Sequence, residues 1–229
     1  MIPDTIRTDW DKLAGYQYIA ISVDSFKTEL EPLLEFHNSR GLPAAFVSID
    51  DIYNYFSDGI RDPRSIRAFI QYLFSISGSK PPRFLLLGGD TSHDLDKKNR
   101  NRNIIPTWLS RVPGWGPAAD DGYFATVWGN DNFPDLYVGR FPAQDRNQMR
   151  FMVEKTIRYI KTPQRGFWRD NMLLLGGGEA EFTRFNEEVT REIIRQKMNI
   201  TCIEADSGSR FYKDGSVASK IIADKINTG

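Results

Sequence analysis

The chain has 229 residues, 40% hydrophobic, 26% charged and 13% aromatic, which fits a folded globular protein and excludes intrinsic disorder. Thirty basic residues balance thirty acidic ones without a long run of either sign, so a nucleic-acid partner has no electrostatic basis. The single cysteine, Cys202, excludes an intramolecular disulfide and a cysteine-rich zinc site. No apolar stretch approaches the roughly 20 residues that span a bilayer, so no membrane span is expected. Met1-Ile2-Pro3-Asp4 lacks a basic region leading into an apolar core, so no signal peptide is expected either.

After an N-terminal extension over 1–15, short apolar runs alternate with amphipathic segments. A strand is expected over 16–23. Asp24 and Ser25 can cap a helix over 26–40, on which Leu30, Leu33, Leu34 and His37 share a face. A second strand covers 44–49 and a short helix 50–56. Asp62-Pro63 starts a helix with a carboxylate cap and a proline whose missing N–H costs nothing there. Ile66, Phe69, Ile70, Leu73 and Phe74 follow at helical spacing. The run 84–87 has the character of a buried strand.

Periodicity is lost from 90 to 121, a length at which loops are often functional. Short strands are expected over 123–128 and 136–139, separated by the turn Gly129-Asn130-Asp131-Asn132. A long helix over 145–161 is stopped by Pro163. The alternation then restarts with a strand over 172–175, a helix over 182–197, a strand over 200–204 and a helix over 216–226. Strands alternating with helices indicate parallel βαβ units. The expected architecture is α/β, with mostly parallel sheets flanked by helices in two consecutive subdomains, 16–165 and 166–229, the second incomplete.

Four groups of residues have chemical potential. Asp90-Thr91-Ser92-His93-Asp94 follows a strand, where ligands of open parallel sheets bind. Adjacent Ser92 and His93 lack nucleophile–base geometry, however, and the expected role is loop shaping. Leu175-Gly176-Gly177-Gly178-Glu179 joins a strand to a helix, a place that can hold phosphate. It is neither G-x-G-x-x-G nor a P-loop, and Glu179 and Glu181 would repel an anion, so a turn that keeps the strand end accessible is favoured. Asp120, Asp121, Asn130, Asp131, Asn132 and Asp135 supply oxygens of the kind calcium prefers, but they are also the standard turn residues. Cys202, in an apolar strand, is expected to be buried and inert. His37 is expected to pack rather than catalyse, and no Cys–His pair is evident.

Gly129-Asn130-Asp131, followed by Asp135-Leu136-Tyr137-Val138-Gly139-Arg140-Phe141-Pro142, resembles a segment of gingipain-type cysteine peptidases, in the N-terminal half of the catalytic domain. Three further stretches resemble the family in order: Glu35-Phe36-His37-Asn38-Ser39-Arg40-Gly41-Leu42-Pro43, Phe84-Leu85-Leu86-Leu87-Gly88-Gly89-Asp90 and Ala119-Asp120-Asp121-Gly122-Tyr123. The similarity runs from about residue 18 to 229.

The resemblance implies a caspase-like fold of two subdomains and a polypeptide substrate. It also implies catalysis by a histidine in a Gly-His-Gly motif and a downstream cysteine. Neither motif occurs here, so no catalytic residue is assigned within the chain. The expectation is a chain inactive alone, completed by the missing C-terminal half of the domain. The family's substrate pocket is lined by the region corresponding to 178–186. Gly178, Glu179, Glu181 and Thr183 are therefore the expected pocket-wall residues, with Glu187 nearby. Thr183 stands where arginine-specific members carry an acid. No cofactor is required, but family members can bind structural calcium, for which Asp120, Asp121 and Asp131 are the candidates. The parent protein is expected to be bacterial and extracellular or on the cell surface. Two alternatives remain: a non-catalytic binding or secretion-machinery relative, and a small-molecule or nucleotide-binding α/β domain.

Overall fold

The computed structural model describes residues 9–92, 103–114, 116–193, 198–204 and 215–228, and the chain forms two compact units, 1–162 and 163–229. In the first, β1 (Tyr18–Ser22), β2 (Ala44–Ser48), β3 (Phe84–Gly88) and β6 (Tyr137–Phe141) make a four-stranded sheet in the order β2-β1-β3-β6. All three pairings are parallel. Alternate side chains therefore face opposite sides of the sheet, and each side has its own helices.

On one side Ile19, Ile21, Val47, Leu85 and Leu87 pack with α2 (Ile49–Phe56) and α3 (Pro63–Ile76) through Ile52, Ile66, Phe69, Ile70 and Leu73. Trp10 is buried in this cluster, with its ring 5.0 Å from that of Phe69. On the other side Ala20, Ala44 and Leu86 pack with α1 (Lys27–Asn38) and α4 (Arg146–Lys161) through Leu30, Leu33, Met149 and Val153. The spacing of these apolar residues is what makes each segment an amphipathic helix.

Two helix starts follow the sequence closely. Asp62 caps α3 by accepting a hydrogen bond from the Arg64 N–H, and Asp145 caps α4 by accepting one from the Gln148 N–H. The cap expected from Asp24 and Ser25 does not form. Those residues enter a 3-10 turn, Asp24–Phe26, and α1 begins after it without a side-chain cap.

Two further expectations are corrected. The stretch 123–128 is not a strand: Asp121–Phe124 is a 3-10 turn, and Ala125 and Thr126 both donate to the Gly122 carbonyl. Phe124, Ala125 and Val127 are buried as core contributors instead. The carbonyls of Thr126 and Val127 are held by Arg67 and Gln71 of α3, which replaces the ladder a strand would supply. Conversely, 90–121 contains an antiparallel pair, β4 (Trp108–Val112) with β5 (Gly116–Asp120). Pro106, Pro113, Gly114 and Pro117 mask this pair in the sequence. Gly114 and Gly116 have φ of 82° and 84°, which glycine adopts without strain.

The second unit pairs β7 (Asn171–Gly176) with β8 (Asn199–Glu204) in parallel, flanked by α5 (Ala180–Ile193) and α6 (Gly215–Thr228). No helix among the described residues is long and apolar enough to cross a membrane.

Phe69 of α3 is fully buried against Phe56 of α2 and Trp10. Phe69→Ala should therefore lower the unfolding free energy by about 3–5 kcal/mol, measured by urea denaturation.

Candidate functional site

In each unit the carboxyl ends of the parallel strands gather the polar residues, as expected for this architecture. In the first unit the centre is Arg140, the fourth residue of β6. Its Nε and Nη2 donate to the two carboxylate oxygens of Asp121, at 2.8 Å each. Its Nη1 donates to the carbonyls of Gly89 and Ile105, and Nη2 also donates to that of Pro106. All five guanidinium N–H donors are thus used. The side chains of Arg140 and Asp121 are only 12% and 27% exposed. Burial pushes the Asp121 carboxyl up, but the hydrogen bond and charge of Arg140, with the Thr107 hydroxyl, outweigh it and hold the group below the usual carboxylate range.

This node fixes the loop after β3. Asp90 accepts at its backbone carbonyl from the Ile104 and Ile105 N–H groups, and its carboxylate accepts from Gln144 Nε2. The Thr91 hydroxyl donates to Asn103 Oδ1 and accepts from the Thr107 N–H. Gly89 must lack a side chain, because a Cβ there would stand 2.7 Å from Ile104 Cγ2. Asp90 and Thr91 thus hold a loop. His93 lies outside the described residues.

The acidic residues singled out for calcium are engaged elsewhere. Asp121 is held by Arg140, Asp120 accepts from the Ser110 hydroxyl, and Asp131 accepts from the Phe133 N–H. Asp135 accepts from the N–H groups of Val127 and Trp128. Among the described residues no group of three His, Cys, Asp or Glu side chains is placed to hold a metal ion.

In the second unit, Gly178, Glu179, Glu181 and Thr183 fall together on the turn after β7 and the first turn of α5. Glu179 and Glu181 are exposed and Thr183 is half-buried. The Phe182 N–H donates to the Glu179 carbonyl, which starts the helix. A Cβ on Gly177 would lie 2.7 Å from Glu179 Oε2, so glycine lets that carboxylate fold back over the turn.

Sequence reasoning missed the residue beneath this turn. Asn186 is only 5% exposed, and its Nδ2 has no hydrogen-bond partner. It lies against Gly176 at the end of β7, beside Glu204, the register partner of Gly176 on β8. The available signal was a polar residue one turn beyond Thr183, on the inner face of α5, while Phe182 and Phe185 are exposed. At the other end of these strands, Asn171, Met172, Leu173, Asn199 and Thr201 line a groove of about 370 Å³ with Trp168, Lys225 and Ile226.

His37 and Cys202 each have a setting of their own. The His37 ring stacks 4.3 Å from Tyr18 and meets Phe36 edge-on. Burial, then the charge of Arg40, pushes its pKa down. Cys202 is exposed, not buried as expected, because a two-stranded sheet leaves much of each strand accessible; its Sγ lies 3.7 Å from Thr190 Oγ1.

The profile of Peptidase family C25 matches residues 11–229. Gingipain R2 of Porphyromonas gingivalis is 21% identical over 216 residues, covering 92% of this chain and 26% of the relative. Gingipain R1 of the same organism is also 21% identical, with 92% and 19% covered. The chain thus spans about a quarter or less of the length of these relatives. Among solved structures, the complex of RgpB pro- and mature domains from Porphyromonas gingivalis matches with a TM-score of 0.59 at 19% identity, covering 84% of this chain and 42% of that one. Dimeric latent PorU from the same organism matches at 0.54 with 24% identity, covering 66% and 16%.

Two outcomes are expected from these interactions. Arg140→Met leaves the Asp121 carboxylate without its cation and should cost on the order of 3 kcal/mol at neutral pH. Because Arg140 holds the Asp121 pKa down, its contribution is present above about pH 4 and is lost on acidification. The deficit of the variant should therefore shrink below that pH in denaturation curves taken across pH. His37, favoured neutral in the folded state, contributes in the same sense at higher pH. Stability should fall as pH drops below about 6.5, and His37→Phe should remove that part of the slope.

Proposed function

Since the chain belongs to Peptidase family C25, we propose that it is the N-terminal portion of a gingipain-like cysteine endopeptidase domain whose catalytic histidine and cysteine lie outside these 229 residues. The observation that carries this reading is that the sequence holds no Gly-His-Gly motif, while the two candidates among the described residues have other surroundings. His37 is packed between Tyr18 and Phe36, and Cys202 sits mid-strand beside Thr190. The sequence holds only two histidines and one cysteine, and none stands in a Gly-His-Gly motif.

In this reading the chain supplies the scaffold and a wall of the substrate pocket. The wall is the turn after β7 with Gly178, Glu179, Glu181 and Thr183, at the carboxyl end of a parallel strand. The chemistry comes from the completed domain. A cysteine thiolate adds to the peptide carbonyl carbon, and the imidazolium gives its proton to the departing amine nitrogen as the C–N bond breaks. Water then splits the thioester to carboxylate and thiol. The same resemblance makes the parent a bacterial protein acting outside the cell or on its surface, with polypeptides as substrates.

The test is to express the full reading frame beside the 229-residue chain. The extended protein should cleave polypeptides and lose activity on iodoacetamide treatment, while the 229-residue chain should show none. Cys202→Ser in the extended protein should leave the rate unchanged. Cleavage by the 229-residue chain alone, or an extension without a histidine and cysteine pair, would overturn the reading and favour a binding role for the fold.

A further inference from the structure

We propose that the outer face of α1 and α4 is a dimer interface, on which a second copy of this chain docks about a two-fold axis parallel to the helices. The proposal is independent of the peptidase reading and rests on geometry, charge and exposed aromatic surface.

The two helices lie side by side and run in the same direction. Arg146, the first residue of α4, pairs with Glu29 in the first turn of α1 at 2.8 Å. At the other end the ammonium of Lys161, the last residue of α4, stands 5.6 Å from the centre of the Phe36 ring, in the last turn of α1. The buried stripes of both helices point to the same side of the sheet, so their remaining residues share one outward face.

That face is divided by charge. On α1 it carries exposed Glu31 and Glu35, one turn apart. The cations flanking them, Lys27 and Arg40, lie over the rings of Phe46 and Phe36. On α4 it carries exposed Arg150, Lys155 and Arg158, against the one acid of that helix, Glu154. Among the described residues, Glu31, Glu35, Lys155 and Arg158 form no ion pair. Phe151 and Tyr159, four residues to either side of Lys155, are 61% and 57% exposed. Aromatic rings beside arginine are the composition of interface cores.

The charge pattern selects the occupant. An acidic partner would meet Glu31 and Glu35 beside the cations, and a basic one would meet α4. A second copy complements both stripes at once. With the two-fold axis along the helices, α1 of each copy lies on α4 of the other, so acid meets base twice in an isologous contact. An axis across the helices would set α1 on α1 and α4 on α4, like charge on like. The contacts at the two ends place Glu31 and Glu35 between the levels of Arg146 and Lys161, where Arg150, Lys155 and Arg158 also lie. Thirty basic residues against thirty acidic ones leave no net charge to hold the copies apart.

The test is sedimentation of the 229-residue chain across concentrations, at low salt and at about 1 M salt, which screens charges beyond about 3 Å. A dimer should form at low salt and dissociate at high salt. Glu31→Lys with Glu35→Lys, and separately Lys155→Glu with Arg158→Glu, should each weaken the dimer by more than about tenfold. An equimolar mixture of the two variants should restore it, because each reversed stripe then meets its complement. A monomer at every concentration, a dimer that neither salt nor the reversals weaken, or two folded variants that stay monomeric when mixed would each overturn the proposal. Should a variant fail to fold, carbodiimide crosslinking of mixed ¹⁴N- and ¹⁵N-labelled wild-type chains decides: a link from Lys155 to Glu31 or Glu35 between the two labels is expected, and its absence overturns the proposal.

Discussion

The first unit depends on the guanidinium of Arg140. A parallel sheet joins its strands by long connections, and those after β3 must return to β6 across the carboxyl end. Arg140 fixes that return by holding three carbonyls, of Gly89, Ile105 and Pro106, and the carboxylate of Asp121. A lysine would offer three donors from a single point, whereas the planar fork meets Asp121 with two parallel bonds and retains three donors for the main chain. The resemblance in Tyr137-Val138-Gly139-Arg140 thus has a physical content: it marks the strand that carries the clamp. Its partners Gly89 and Asp121 lie in two of the other similar stretches.

The strands and helices of the first unit were legible because their burial is periodic. Leu85 and Leu87 face one helix pair while Leu86 faces the other, and Ile66, Phe69, Ile70 and Leu73 repeat as a helix requires. The misreadings occurred where side chains replace the backbone ladder. Phe124, Ala125 and Val127 are as apolar as a strand, yet Arg67 and Gln71 hold the carbonyls of the loop. At Trp108–Val112 a true strand hides among prolines and glycines. The Gly178 turn was visible as a glycine cluster, but Asn186 was not, because composition does not reveal which face of a helix turns inward.

The two polar centres differ in their hydrogen-bond balance. At Arg140 each donor has its acceptor, and such a network rigidifies the loops it joins. At Asn186 a buried donor is left over, and Glu204 stands beside it without closing the account of that N–H. The satisfied centre belongs to architecture, whereas the donor of Asn186 is buried under its turn without a partner. The match to Peptidase family C25 over 11–229 includes both, while sequence identities near 21% leave room for pocket walls to differ between relatives.

The position of Arg140 in the chain also orders events during synthesis. Residues 89, 105, 106 and 121 leave the ribosome before the cation that gathers them. Until residue 140 has emerged, β3 lacks its neighbour β6, and the Asp121 carboxylate has only hydroxyl and water partners. The nascent chain therefore carries an incomplete three-stranded sheet with a bare edge on β3 through the translation of some fifty residues, from 88 to 140. This is the interval in which strand pairing with another chain competes with folding. The helices α2 and α3 are encoded upstream and cover one face, but the other face has only α1 until α4 is made, so its apolar residues are exposed together with that edge.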